Sequence, residues 1–526
     1  MNMPVEQISL IARGAAQKKD WATVHGAALE ILRQDDRSAE GHFLMGLIEK
    51  AAQHPAKAVE SFRRSLEIDD NRHDSAIELA DQLTLSRRNR EAVALIDKYV
   101  DRLSNSPRYL DMAGTVLSSI GLHHRAWPLY LKANELQPDI ELFQANLAAC
   151  AVFVGEIEEA DKAYRRLLEK RPEHQRNHYQ LARLQNAKDE EHARQMLDIV
   201  ENNGLSADRN IYLYYAIAKE YEDLGKWEQS FEFYKTAGDA VMSVANYDIA
   251  SDVGLIDTII ETCDADWLAE DPSDKPTDVA GKTPCFVLGL PRTGTTLTER
   301  IISSHSLVQT IGETELVEFT LRKISGVATP DRMNAEIVRA AAKADIHAVA
   351  NEYLNLVEYA LDDEPIFIDK LPYNYLFIGF IAKAYPDAKI VHLNRHPLDA
   401  CFAMYKQVFT WAFKYSYTLD NLADFYIAYS RLMDHWRETL GDRIVDVHYE
   451  ELVSDTETQT RALLDRLDLE FEDACLHFEK NKAASATASS VQIRQKAHTK
   501  SIDKWKRFEE QLQPLADRLR EAGIEV

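Results

Sequence analysis

The sequence predicts a multidomain protein in which an all-α superhelix of helical repeats is followed by an α/β domain built on a parallel sheet. Three observations predict this fold class. Small residues recur at a fixed interval in the first half, short apolar runs alternate with helical stretches in the second half, and the first run leads into a glycine-containing, P-loop-like turn. At 526 residues the chain is longer than one hydrophobic core usually serves, so we expect at least two domains.

Two interleaved series of small residues define the repeat. The first series has a spacing of 34 residues and consists of Gly46, Ala80, Gly114, Ala148 and Ala182. The second runs twelve residues behind it and consists of Ala58, Ala92, Ala126 and Ala160. Small side chains at this spacing indicate two closely packed helices per unit. The pattern, as in GEIEEADKAYRRLLEKRPEH at 155–174, resembles the tetratricopeptide repeat, and about seven units fit between about residues 5 and 245.

The resemblance implies that the array binds a protein or peptide partner. We expect it to occupy residues 1–250 and to be followed by a linker at 251–283, because residues 262–284 are rich in Asp, Pro and Thr and lack apolar periodicity. The second domain is then expected at residues 284–526.

The composition limits which cellular compartment and which kinds of partner we expect. With 86 acidic and 61 basic residues the formal net charge is -25, which argues against general binding to nucleic acid or to anionic lipid surfaces. Five scattered cysteines without metal-ligand spacing favour a reducing, cytoplasmic location and no metal site. We find neither a signal-peptide pattern nor a run of about 18 apolar residues, so no membrane span is expected.

The second half opens with a strand, a tight loop and a helix start. Gly289 and Gly294 have the GxxxxG spacing of a loop whose backbone N–H groups bind an anion. The Lys and Ser or Thr that usually follow are replaced by Thr295 and Thr296, while a cation, Arg292, lies inside the loop. This favours a phosphate or sulfate loop that differs from a standard ATPase loop, with an ordinary Gly-Pro turn as the alternative.

Cations follow the predicted strands. Short apolar runs at 286–288, 366–368, 390–393 and 444–447 alternate with helical stretches such as 334–361 and 373–385. Ligands of such sheets bind beyond the carboxyl ends of the strands. Arg292, Lys370 and Arg395 each follow one of these runs, so the pattern predicts a site for a polyanion.

Six short motifs occur in the order seen in sulfotransferases. They are PRTGTT at 291–296, GE at 312–313, DKLP at 369–372, NRHPLDACFA at 394–403, HYEELV at 448–453 and SIDKW at 501–505. The second half therefore resembles the tetratricopeptide-fused bacterial sulfotransferases and, more distantly, the tyrosylprotein sulfotransferases. The resemblance covers roughly residues 284–510.

The resemblance implies transfer of a sulfuryl group from 3'-phosphoadenosine 5'-phosphosulfate to a hydroxyl or amine, without a metal. The residues that it implies for nucleotide binding are Arg292, Thr293, Gly294, Thr295, Thr296, Arg395, Tyr449 and Lys504. Arg292 and Lys370 would stabilise charge on the leaving group, and Arg395 would bind the 3'-phosphate. The family usually has a serine eight residues after that arginine, where this chain has Ala403.

The acceptor needs a base to take its proton. Glu313 matches the family's base, Glu315 is the reserve if the preceding loop carries an insertion, and His305 is expected to be a helix-end residue. A protein or peptide acceptor is favoured by the repeats, with a glycan, lipid or small phenol left open. Two other functions are considered: a phosphoryl-transfer enzyme with Asp369 as a magnesium ligand, and a repeat scaffold with an inactive second half.

Overall fold

The computed structural model describes residues 3–270, 281–409, 412–487 and 489–526. The chain divides into two compact units, one formed by Met1–Val154 with Glu358–Ala360 and the other by Gly155–Val357 with Leu361–Val526. No described helix combines the length and the apolar character needed to cross a lipid bilayer.

The described part of the first unit is helical. Its α-helices are α1 (Val5–Gln17), α2 (Trp21–Gln34), α3 (Ala39–Ala51), α4 (Pro55–Ile68), α5 (His73–Leu85), α6 (Asn89–Tyr99), α7 (Pro107–Ser119), α8 (His123–Leu136) and α9 (Glu141–Val154).

The small residues of the repeat lie where helices pack closely. A Cβ atom on Gly46 of α3 would lie 2.5 Å from the ring of Phe62 in α4, and one on Gly114 of α7 would lie 2.9 Å from the ring of Tyr130 in α8. Ala92 is fully buried in the same core. The period of 34 therefore reflects a steric requirement of the helix pairs.

The second unit begins with further helices of the array. These are α10 (Ile157–Lys170), α11 (Gln175–Leu184), α12 (Glu191–Asn202), α13 (Ile211–Asp223) and α14 (Trp227–Val244), followed by α15 (Ile249–Thr262) and the short α16 (Ala265–Ala269). Between residues 5 and 244 the chain thus forms fourteen α-helices, which is the number expected for seven two-helix units. The predicted tetratricopeptide-like array is confirmed.

A parallel sheet of five strands follows. The strands are β1 (Thr283–Gly289), β2 (Val308–Thr310), β3 (Ile366–Lys370), β4 (Lys389–Asn394) and β5 (Ile444–His448), in the order β2-β3-β1-β4-β5. In register, Val287 pairs with Lys370 and Gly289 pairs with Leu393. All carboxyl ends therefore lie at one edge of the sheet, and the predicted α/β fold is confirmed.

Helices cover both faces of this sheet. They are α17 (Thr295–Ile302), α18 (Leu316–Ser325), α19 (Ala335–Ala341), α20 (Ile346–Val357), α21 (Ile378–Ala384), α22 (Pro397–Tyr405), α23 (Leu419–Leu440), α24 (Tyr449–Ser454), α25 (Thr456–Arg466) and α26 (Glu509–Glu521). Val287 faces a core shared with α17, α24 and α25, whereas Phe286 and Leu288 face a larger core on the other side. Alternate strand residues point to opposite faces, which explains the division.

The larger core also contains the last repeat helices. Tyr215 of α13 and Phe231 of α14 are buried in it, and the Phe231 ring lies 5.9 Å from that of Tyr405 in α22. The expected linker at 251–283 differs from the structure in its first part, because α15 packs in this core through Ile256 and Ile259. Residues 271–280 of that segment lie outside the described residues.

Candidate functional site

A tight loop joins β1 to α17 at the carboxyl edge of the sheet. Gly289 and Gly294 have φ angles of 140° and 107°, which favour glycine. A Cβ atom on Gly294 would also lie 2.6 Å from Cδ2 of Tyr449, which follows β5. Arg292 has a φ of 71°, an uncommon conformation for a residue with a side chain. The loop thus carries backbone strain next to the N-terminus of α17, as functional anion-binding loops often do.

The Arg292 guanidinium is bound by neutral groups. It donates to Ser489 Oγ and, at 3.0 Å, to Gln492 Oε1. Burial, together with the nearby charges of Arg183 in α11 and of Arg395, lowers the pKa of Arg292 to about 10. A desolvated cation without a carboxylate partner among the described residues is suited to an anionic ligand.

Arg395, which follows β4, is also held by neutral oxygens. Its Nη1 donates to the backbone oxygen of Arg292 at 2.8 Å and its Nη2 to that of Ser501 at 2.6 Å. The guanidinium lies over the Tyr449 ring, 4.7 Å from the centroid. Asp399 is 3.9 Å away, but the same carboxylate oxygen accepts from the backbone N–H of Asp503 at 2.8 Å. These contacts bring the loop and the ends of β4 and β5 together.

Three buried nitrogens near Arg395 have no hydrogen-bond partner among the described residues. They are Arg395 Nε, His396 Nδ1 and Trp505 Nε1. The His396 and Trp505 rings stack at a centroid distance of 5.3 Å, and Trp505 is 9% exposed. Buried polar groups are nearly always satisfied, so their grouping indicates a place for a polar ligand.

Lys504 precedes Trp505 in this group. Burial lowers its pKa, the charges of Lys406, Arg507 and Arg395 lower it further, and Glu222 acts in the opposite direction. The structure thus brings Arg292, Arg395, Tyr449 and Lys504 together on the side of β1 where β4 and β5 lie.

Lys370 ends β3, on the other side of β1. The side chain is fully buried, and its ammonium lies 2.5 Å from Glu313 Oε1 and 3.5 Å from Glu299 Oε2. Burial by itself lowers the pKa of Lys370, but the attraction of Glu313 and Glu299 outweighs it and the pKa is raised. The lysine is therefore a protonated donor held between two carboxylates.

The two candidate bases have different surroundings. The Glu313 side chain pairs with Lys370 while remaining 33% exposed. Glu315 instead accepts from Arg332 at 2.8 Å, and Arg332 also pairs with Glu318. The geometry thus brings Glu313, and not Glu315, to the buried lysine.

Asp369 and His305 are buried and hydrogen-bonded within the protein. Asp369 is fully buried and accepts from Thr314 and Tyr353, each at 2.8 Å, and burial raises its pKa to about 7. His305, beyond the end of α17, is buried and its Nε2 lies 2.9 Å from the backbone oxygen of Glu470. Both side chains are thus engaged by hydrogen-bond partners inside the fold.

A segment that sequence reasoning missed lies against the loop. Besides Ser489 and Gln492, Thr487 contacts the Thr296 hydroxyl at 3.3 Å. Asn481 and Ala483 accept from Arg300 of α17 through their backbone oxygens. The sequence at 481–492 has no apolar periodicity of a strand or helix. Its Ser, Thr and Gln content is the one sequence feature consistent with polar contacts.

Part of the chain is similar to known proteins. Residues 284–473 match the profile described as "Sulfotransferase family". An uncharacterized protein of Aquifex aeolicus is 29% identical over 314 residues, which is 58% of this chain and 41% of that protein. Protein-tyrosine sulfotransferase 1 of Danio rerio is 28% identical over 237 residues, 42% of this chain and 64% of that protein. The chain thus spans less than two thirds of the length of both relatives.

Among solved structures, the chain is similar to the "Sulfotransferase Domain from the Synechococcus PCC 7002 Olefin Synthase". The sequence identity is 20%, the TM-score is 0.33, and the match covers 45% of this chain and 90% of that domain.

Proposed function

Residues 284–473 belong to the sulfotransferase family and follow an array of tetratricopeptide-like helices. From this we propose that the protein transfers a sulfuryl group from 3'-phosphoadenosine 5'-phosphosulfate to a hydroxyl of a protein or peptide. The observation that carries the proposal is the two-sided arrangement at the sheet edge. Cations with neutral partners lie on one side of β1, and a lysine paired with a carboxylate lies on the other.

The residues present fit the bisphosphorylated nucleotide. Backbone N–H groups of Gly294, Thr295 and Thr296 would hold the 5'-phosphosulfate at the start of α17, with Thr293 shaping the loop through its 2.7 Å bond to the Leu290 oxygen. Arg292 would add a forked donor at the same position. The unpartnered nitrogens near Arg395, together with Tyr449 and Lys504, would bind the remainder of the nucleotide.

Glu313 and Lys370, the carboxylate–lysine pair beyond β3, would carry out the transfer step. When bound, the donor offers a sulfur atom to in-line attack by the acceptor oxygen. Glu313 takes the hydroxyl proton as the new O–S bond forms, and becomes neutral. Its hold on the Lys370 ammonium then weakens, so Lys370 can donate to the phosphate oxygen from which the sulfur departs. Charge on that oxygen grows only in the transition state, which is where a preorganised donor is most effective.

A peptide acceptor is proposed on two grounds. Similar proteins are named for the sulfation of protein tyrosine, and the repeat helices could hold a peptide near the site and raise its effective concentration. A phenolic hydroxyl is thus the first acceptor to test.

We also propose a cytoplasmic location, which is supported by five cysteines that are all buried thiols.

The surroundings of Asp369 argue against phosphoryl transfer. Its two carboxylate oxygens accept from Thr314, Tyr353 and, at 3.4 Å, Asn374, so they are occupied by partners within the protein. Burial also raises its pKa to about 7, which makes the charged form that magnesium requires less favourable than in an ordinary carboxyl. An inactive scaffold would not need a buried lysine between two carboxylates.

The proposal is tested by incubating the purified chain with the phosphosulfate donor labelled with ³⁵S, a tyrosine peptide pool and a chelator. We expect labelled peptide, no label on matched peptides with Phe in place of Tyr, and binding of adenosine 3',5'-bisphosphate in calorimetry. Failure to label any acceptor in a cell lysate, together with no binding of the bisphosphate, would contradict the proposal.

A further inference from the structure

A second carboxylate, Glu299 of α17, faces Lys370 besides Glu313. The Glu299 side chain is 10% exposed, and its Oε2 lies 3.5 Å from the Lys370 ammonium. A carboxylate buried in this way needs a cation or hydrogen-bond donors to compensate for the lost water. Glu299 lies on the helix that begins at the donor loop, so it connects that loop with the lysine at the end of β3.

Glu299 also reaches the turn that carries the base. Its Oε1 accepts from the Thr310 hydroxyl at 2.6 Å, and the same hydroxyl oxygen accepts from the backbone N–H of Gly312 at 3.1 Å. The backbone oxygen of Gly312 in turn accepts from the backbone N–H of Lys370 at 3.0 Å. Glu313 follows Gly312 directly in the chain. Glu299 is therefore connected to Lys370 by an ion pair and to Glu313 through this turn.

The helix α17 fixes this carboxylate relative to the donor loop. Glu299 lies four residues after Thr295, the first residue of α17, whose backbone N–H would hold the phosphosulfate. Residues four apart in a helix lie on the same face, one turn from each other. The loop and the carboxylate therefore belong to one rigid element, and the ion pair places Lys370 relative to the bound donor.

The transfer step itself requires a second carboxylate beside Lys370. When Glu313 takes the acceptor proton it becomes neutral, while the Lys370 ammonium remains fully buried. A buried lysine without an anionic partner has its pKa lowered by several units, so it would lose the proton with which it donates to the departing oxygen. Glu299 stays beside the ammonium at this moment and compensates its charge.

The two distances suit this division of work. An ammonium group has three N–H bonds, and Glu313 at 2.5 Å is its close partner. Glu299, at 3.5 Å, is a looser partner that stabilises the charge without binding the group tightly. Once Glu313 is neutral, an N–H bond of Lys370 can therefore turn to the departing oxygen while Glu299 stays in place.

We propose that Glu299 is a positioning residue of the transfer step, which keeps Lys370 charged after Glu313 has taken the acceptor proton. It would also hold the turn of the base in place through Thr310. The inference rests on the proposed function, because it assigns a further residue to that reaction. The O–S bond to the acceptor forms as the S–O bond to the phosphate breaks, the acceptor proton passes to Glu313, and Glu299 neither gains nor loses a proton.

The first test is the pH dependence of kcat in Glu299→Gln. The amide keeps the shape of the side chain and an oxygen that can accept from Thr310, but it removes the charge. We expect kcat to fall about tenfold at neutral pH, and its alkaline decline to begin about one pH unit lower than in the wild type. The sign follows because an ammonium with one carboxylate fewer loses its proton more readily. Binding of adenosine 3',5'-bisphosphate should change less than about twofold, which also shows that the variant is folded.

The second measurement follows Lys370 directly. Its ¹³Cε resonance, assigned through its loss in Lys370→Met, reports the titration of the ammonium without turnover. In Glu299→Gln this titration should also move about one pH unit lower. Two further charged groups act on the pair and are unchanged in this variant: Asp369, next to Lys370 in β3, and Arg300, next to Glu299 in α17. A fall in kcat without either shift would overturn the inference, because it would mean that Glu299 only supports the fold.

Glu318→Gln is the matched control, because Glu318 is also a buried glutamate, 4% exposed, that pairs with a cation, Arg332. It should leave kcat, its alkaline decline and the Lys370 titration unchanged. Thr310→Val removes the hydroxyl but keeps the Glu299 carboxylate, so the alkaline decline should stay at the wild-type pH. A shift in either control as large as that in Glu299→Gln would overturn the inference.

The two proposals fail in different ways. If the wild type transfers no sulfuryl group and binds no bisphosphate, the proposed function and the role of Glu299 in it are both wrong. If the wild type is active and Glu299→Gln keeps the wild-type kcat and pH dependence, only the role of Glu299 is wrong.

Discussion

The cationic side chains on the two sides of the central strand β1 have different partners. Beyond β3, the ammonium of Lys370 lies between Glu313 and Glu299, so its charge is balanced within the protein. Beyond β1 and β4, Arg292 and Arg395 donate to hydroxyl, amide and backbone oxygens. Within the part of the chain that the structure describes, the carboxylate paired with Arg395 is that of Asp399, at 3.9 Å.

Under the proposed function, this difference separates residues that bind the nucleotide from residues that act in catalysis. Cations with neutral partners attract an anion whenever it is present, so they contribute to affinity in the ground state and in the transition state alike. A cation that must first be released by its carboxylate becomes a strong donor only after that carboxylate takes a proton. Substitutions on the two sides should therefore change different kinetic constants.

Lys370→Met should have the largest effect. It removes the donor to the departing oxygen and leaves Glu313 without its partner, so we expect kcat to fall about 10³-fold. The dissociation constant for adenosine 3',5'-bisphosphate should change little. Steady-state kinetics and calorimetry on the same preparation measure both, and a tenfold or smaller fall in kcat would show that the paired side is not catalytic.

Glu313→Gln should lower kcat about 10²-fold, because the amide keeps the shape of the side chain but takes no proton. Glu315→Gln is the control, since that carboxylate pairs with Arg332, and its kcat should be unchanged. Equal losses in the two variants, measured at saturating donor, would remove the distinction between them.

Arg292→Lys should act on binding. The charge is kept but the fork that contacts Ser489 and Gln492 is lost, so we expect the bisphosphate dissociation constant to rise about tenfold. Arg443→Lys serves for comparison, because Arg443 donates to backbone oxygens of Ala382 and Pro386 away from the site. A loss confined to kcat would place Arg292 with the catalytic group instead.

Ala403→Ser should have the smallest effect and the opposite sign. A hydroxyl one turn before Lys406 adds a neutral donor to the binding side, and a net hydrogen bond contributes about 1 kcal/mol, or roughly fivefold tighter bisphosphate binding. Binding of adenosine 5'-monophosphate should not improve. An equal gain for both nucleotides would mean that the position does not contact the additional phosphate.

Local rules predicted most of the fold. The runs at 366–368, 390–393 and 444–447 are β3, β4 and β5, because buried parallel strands are continuously apolar. The 34-residue period located the helix pairs because only a small residue fits where two helices pack closely, as at Gly46. The edge strand β2 was missed, since three residues cannot establish a pattern, and an apolar helix, α15, was expected to be linker.

The strand pattern predicted the part of the site that follows the strands, whereas Lys504 was predicted only from the family resemblance. Arg292, Lys370 and Arg395 come directly after apolar runs, so parallel strands bring them to one edge. Thr487, Ser489 and Gln492 reach the loop from almost 200 residues away in the chain, through a segment with no periodicity. The pairing of Glu222 with Lys406 likewise joins residues 184 positions apart, and no local pattern specifies it.

The shared core around Phe231 has a consequence for how such chains could diversify. Phe402, Tyr405 and Phe508 pack their rings against Phe231, so a domain that began after the repeats would present these aromatic rings to water and would tend to aggregate. Recombination that exchanged the whole array would therefore be penalised. Under the proposed function, new partners would be acquired more readily through changes in the earliest repeats, which leave this core intact, while α13 and α14 are retained with the domain that they pack against.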